Sequence, residues 1–104
     1  MRVQEVFEVL TDLELVRSQI EFSRLWLGKS PRYYSSLLAR QQQPSVGTLA
    51  GLLFRLRNVF VHTHEASARS AILELIQRLE QHVAVRSITG RGPRSVRTRV
   101  VPVK

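Results

Sequence analysis

The chain has 104 residues, 43% of them hydrophobic, with sixteen Lys and Arg against eight Asp and Glu for a formal net charge of +8. That length suits one domain with a small core, and the absence of cysteine excludes a disulfide framework and a thiolate zinc site. The opening MRVQEVFEVL carries acids by residue 5, unlike a signal peptide, and no apolar run approaches the ~18 residues of a membrane span, so a cytoplasmic protein is the expectation.

Val3, Val6, Phe7 and Leu10 recur at helical spacing, with Leu13 beyond them, and predict a first helix over about 3–12. Residues 13–17 read as a short link. Ser18, with Glu21 three residues on, has the capping-box spacing of a second helix. Phe22, Leu25 and Trp26 supply its apolar face, and Gly28 stands where a helix stops. Ser30-Pro31 predicts a third helix over 31–40, with serine at the N-cap and proline in the first turn. Tyr34, Leu37 and Leu38 form its buried stripe.

Pro44 interrupts, Ser45 caps, and Val46, Leu49, Leu52, Leu53 and Leu56 mark a fourth helix, weakened by Gly47 and Gly51 unless these permit close packing. VHTHE breaks the pattern before a fifth helix over about 65–85. There Ile72, Leu75, Ile76, Leu79 and Val83 make a narrow stripe, either closing the monomer core or forming a dimer seam. Gly90, Gly92 and Pro93 then break helix. SVRTRVVPV alternates apolar and basic residues, as a strand or a flexible basic arm would. The expected architecture is all-α: five helices with a long C-terminal one and a basic tail. It divides into 1–64, an amphipathic helix at 65–85 and a tail at 86–104.

Fourteen of the sixteen basic residues are arginine, whose planar fork matches phosphate and guanine edges. The charge is segregated. Residues 1–21 hold five acids and two bases. Residues 22–64 hold Arg24, Lys29, Arg32, Arg40, Arg55 and Arg57 and no acid, and residues 86–104 hold six bases and no acid. Such a distribution points to nucleic acid rather than to a merely soluble surface.

Two helices joined at a glycine, the second opening Ser-Pro, form a helix-turn-helix pattern. A recognition helix buries its inner face and offers its outer face and N-terminus to base edges and phosphates. On 31–40 the outer set is Arg32, Tyr33, Ser36 and Arg40, with Ser30 at the start. Hydroxyls and guanidinium groups are what such contacts use.

Residues 19–56, QIEFSRLWLGKSPRYYSSLLARQQQPSVGTLAGLLFRL, resemble the helix-turn-helix of the lambda-repressor-like, Cro-type DNA-binding family. The shared elements are Gln19 opening helix 2, a small inner residue (Ser23), Leu27-Gly28 at the turn and Ser30 after it. They continue with a buried Tyr34, Leu37 three residues later, and Pro44-Ser45 with Leu49 opening the next helix. The chain departs from the pattern in two ways. Ser23 lies five residues before the turn glycine instead of four, so helix 2 carries an extra residue as a bulge or an added turn. Pro31 and the tyrosine pair are also unusual in a recognition helix.

The resemblance implies groove contacts at Ser30, Arg32, Tyr33, Ser36 and Arg40, and phosphate contacts at Gln19 and Lys29. It implies a sequence-specific binder of double-stranded DNA, a small transcriptional repressor of prokaryotic or phage style acting as a homodimer. Tyr33 packing on helix 4, Arg40 capping its own helix and Gln41–Gln43 as a plain polar loop are the structural alternatives. In the tail, GRGPR (90–94) has the composition of a minor-groove arm. Arg91, Arg94, Arg97 and Arg99 are its candidate contacts, and a solubilising tail is the alternative.

Other classes are less well supported. His62 and His64 stand two apart and share no helical face, so no metal site is expected, and no phosphate loop or general acid–base pair suggests an enzyme. No cofactor or small-molecule ligand is expected. The competing reading is a protein-interaction module, such as an antitoxin, an adaptor or a phage-type inhibitor, built on a helix-turn-helix scaffold.

Overall fold

The computed structural model describes residues 1–90, so Arg91, Arg94, Arg97, Arg99 and the proposed arm lie outside the described residues. The described fold is all-α, with five helices. α1 covers Val3–Asp12 and buries Val3, Val6 and Leu10 on one stripe. Its start is held from a distance. The Val3 N–H donates to Gln43 Oε1 at 2.8 Å, and Gln43 Nε2 donates to Gln4 Oε1 at 3.1 Å. The glutamine run therefore has a structural task. Glu5 accepts from the Arg2 backbone N–H and pairs with Arg78, which together hold its carboxyl below the usual range.

Helix 2 consists of α2 (Gln19–Glu21) and a π-wound segment (Phe22–Trp26) that continues it without a break. Ser18 Oγ accepts from the Glu21 N–H at 3.0 Å. The Glu21 carboxylate reaches back one residue further than a capping box requires, to the Arg17 N–H at 2.8 Å. In the π segment, the Leu27 N–H donates to the Phe22 carbonyl, five residues back, at 3.0 Å. The extra residue that the spacing implies is absorbed there. Winding at i→i+5 turns each residue through a smaller angle than an α-helix does. Trp26 thus stacks above Phe22 in the core, while Leu25, expected on the apolar face, is left 57% exposed.

α3 covers Tyr33–Arg40, two residues shorter than the sequence suggests. Ser30 is not its cap. Ser30-Pro31-Arg32-Tyr33 form a turn in which the Tyr33 N–H donates to the Ser30 carbonyl at 3.1 Å. Proline at the second position and Arg32 at φ −98°, ψ 6° are the signature of a type I turn. α4 covers Val46–His62 behind the Ser45 cap, with Thr48, Leu49, Leu52, Leu53 and Leu56 buried. Glu65 accepts from the N–H groups of Ser67 and Ala68 at the start of α5, which covers Ala66–Gly90. The same bonds, led by that from the Ser67 hydroxyl, lower its pKa.

α5 runs back along α4 and completes the core. Ile72, Leu75, Ile76 and Leu79 are at most 7% exposed, and Val83 packs half-buried against the same cluster. This corrects the dimer-seam reading of the stripe. The monomer already covers these side chains, so they offer nothing to a second copy. Arg69 closes the α4 end. Its guanidinium donates to the carbonyls of Phe60 (3.0 Å) and Thr63 (2.6 Å) and lies 4.1 Å from the Phe60 ring centroid, where the helix dipole favours a cation.

α1 and α3 end alike. The Leu15 N–H donates to the Leu10 carbonyl and the Glu14 N–H to that of Thr11, both at 2.9 Å. Gln42 and Gln41 repeat this pairing with Leu37 and Leu38. Both are Schellman turns with a left-handed residue where glycine is usual, Glu14 at φ 62° and Gln41 at φ 55°. Relief of left-handed strain outweighs the extra chain entropy of glycine. Glu14→Gly and Gln41→Gly should therefore each stabilise the fold by about 0.5–1 kcal/mol. Urea titration measures this, and a loss of stability in either would refute it.

Candidate nucleic-acid interface

The helix-turn-helix begins at Ser23. This side chain is fully buried, and its size lets helix 2 and α3 approach. Its hydroxyl donates to the Gln19 carbonyl at 2.9 Å and accepts from the Tyr34 N–H at 2.9 Å. Ser23 is therefore the cap of α3, supplied by another helix, since α3 has no side-chain cap of its own. Spacing identifies Ser23 as the small inner residue but not as a cap, because the bond spans eleven positions.

The turn follows from Gly28 at φ +67°, a conformation that glycine adopts without strain. The Lys29 N–H then donates to the Ser23 carbonyl at 2.9 Å. On the inner side of α3, Tyr34 is buried between Phe7 and Phe22, with both ring centroids at 5.0 Å. Burial, with a smaller effect from Glu8, raises the pKa of its phenol.

The outer side presents what the sequence leads one to expect, with two exceptions. Gln19, Lys29, Ser30, Arg32 and Arg40 are exposed, and Ser36 is half-buried. Tyr33 is not free. It packs half-buried against the core cluster, with Lys29 Nζ 5.8 Å from its ring centroid. Its ring braces the turn and leaves an edge for contact. Ser35 and Ala39 are exposed as well, and sequence reasoning missed both. With 3.6 residues per turn, Arg32, Ser36 and Ala39 fall opposite Tyr34, Leu37 and Leu38, with Ser35 and Arg40 at the edges.

The structure sorts the arginines into two groups. Arg57 pairs with Glu80, Arg78 with Glu5, Arg69 with the α4 carbonyls, and Arg86 donates to the Pro44 carbonyl at 2.7 Å. These four are engaged within the molecule. Arg24, Arg32, Arg40 and Arg55 form no ion pair or hydrogen bond among the described residues, nor does the Lys29 ammonium beyond its contact with Tyr33. All five belong to helix 2, the turn, α3 or the adjoining part of α4. Arg55 extends toward the turn, and its Nη2 lies 3.8 Å from where a Gly28 side chain would begin. The result is a contiguous stretch of chain bearing uncompensated positive charge beside hydroxyls, on a rigid scaffold. Such a surface suits a polyanion.

Among the described residues, no group of three His, Asp or Glu side chains could hold a metal ion, and no helix is long and apolar enough to cross a membrane. A family model described as a family of unknown function (DUF6626) matches residues 3–94. No curated protein and no solved structure matches the chain.

Proposed function

We propose that this chain, which belongs to the DUF6626 family of unknown function, binds double-stranded DNA sequence-specifically through α3 and the turn before it. The observation that carries this reading is the sorting of the arginines. Those of α5 and the end of α4 have partners in the fold, and those of the helix-turn-helix do not. The lambda-repressor-like spacing of residues 19–56 supports it.

In this reading α3 lies in the major groove. Arg32, Ser36 and Arg40 face base edges, with Ser35 beside them. Gln19, Lys29 and Ser30 meet phosphates, joined by Arg24 and Arg55. The hydrogen bond from Tyr34 to Ser23 fixes the angle between the helices, so the contacts keep one register. Repression follows from occupying a promoter, with no cofactor and no chemistry.

The test is binding to a pool of random duplexes, with sequencing of the bound fraction and anisotropy measured at about 50 and 200 mM salt. The expected result is an enriched sequence that survives the higher salt. If about six phosphates are neutralised, the log–log salt slope is near −5. Binding that collapses with salt and enriches nothing would overturn the proposal.

A further inference from the structure

α4 turns a second face outward, opposite its buried leucines. Gly47, Ala50, Gly51, Phe54, Asn58 and Val61 are exposed along it. Phe54 and Val61, at 63% and 66%, are the most open of the large apolar side chains described. The two glycines have no role in the monomer. A Cβ on Gly51 would meet nothing within 4 Å, and one on Gly47 only Ser45 Oγ at 3.9 Å. Neither has a positive φ. Glycine within a helix is disfavoured relative to alanine, so two unneeded glycines on an apolar face indicate close approach from outside.

We propose that a second copy of this chain covers the face, α4 crossing α4 in the antiparallel sense to form a homodimer. The face is self-complementary. Its N-terminal half is small (Gly47, Ala50, Gly51) and its C-terminal half is bulky (Phe54, Asn58, Val61). A two-fold axis between Gly51 and Phe54 sets the Phe54 ring of each copy over Gly51 of the other, and Asn58 over Gly47. This is the reciprocal contact that a two-fold interface demands.

Charge selects the same occupant. In a chain of net charge +8, most exposed surfaces of the helix-turn-helix would set arginine against arginine. The centre of this stripe holds no ionisable group, and Arg57 at its edge is already paired with Glu80. Two copies can meet here without that repulsion, and the unpaired arginines of α3 stay free.

The test is sedimentation of the full chain without DNA, so its outcome does not depend on the proposed function. The wild type is expected to dimerise. Gly51→Leu places its side chain in space that is open in the monomer, so the fold tolerates it. Phe54→Glu replaces an exposed ring. Each is expected to weaken the dimer at least about tenfold while helical circular dichroism is retained. A monomeric wild type overturns the proposal and leaves the face to a different protein. So does either variant dimerising as tightly as the wild type.

Discussion

Replacing Arg32 and Arg40 together with alanine should weaken binding to the enriched duplex about 30-fold or more, at two contacts of about 1–3 kcal/mol each. The magnitude follows from geometry. Both side chains are exposed on α3, and neither forms an ion pair or hydrogen bond within the described fold. Stability should change little for the same reason, with Arg40 contributing about 0.3–1 kcal/mol through its place at the helix end. Arg57→Ala is the control, because this arginine is paired with Glu80. It should leave affinity within a fewfold of wild type. Anisotropy titrations at fixed salt measure all three proteins. A double variant that binds as well as the wild type would remove α3 as the reading element.

The second large effect is on stability. Tyr34→Ala should cost about 3–5 kcal/mol, as large-to-small changes of buried aromatics do. The ring is 2% exposed and contacts both Phe7 and Phe22. For a domain of this size that lowers Tm by tens of degrees, at about 4–8 °C per kcal/mol. Tyr34→Phe should be close to neutral, because the hydroxyl has no hydrogen-bond partner among the described residues. Ser23→Ala should cost about 1–3 kcal/mol by leaving the Tyr34 N–H unpaired in the core. Thermal melts rank the three. A Tyr34→Ala protein melting within a few degrees of wild type would mean that the aromatic cluster does not hold the helix-turn-helix together.

Much of the fold was legible because its signals are local. The stripe of Val3, Val6 and Leu10 and the Ser45 cap mark α1 and the start of α4 within a few residues of each feature. What was not legible depends on partners distant in the chain. Ser30-Pro31 looks like a helix start, yet the helix begins at Tyr33, because the same dipeptide also suits a type I turn and Ser23 supplies the cap from helix 2. The α5 stripe says which face is covered but not by what, and α4 lies close enough to cover it. Glu14 and Gln41 carry no turn signal, since left-handed closure there is imposed by the pairing around them. For the candidate site, the acid-free run locates the basic residues. It does not separate Arg57 from Arg55, because the partner of Arg57, Glu80, comes from another helix.

The π-wound segment at Phe22–Trp26 has a consequence for how chain length relates to shape. An α-helix that gains a residue rotates everything beyond it by about 100°. Here the wider turn absorbs the addition, so Leu27 and Gly28 keep their places over the core. The geometry that matters is the number of turns between Ser18 and the glycine, not the number of residues. A chain one residue shorter in this helix, wound as a plain α-helix, could present the same turn to the same target. Between two such chains, the gap in a sequence alignment belongs inside the helix rather than in the loop.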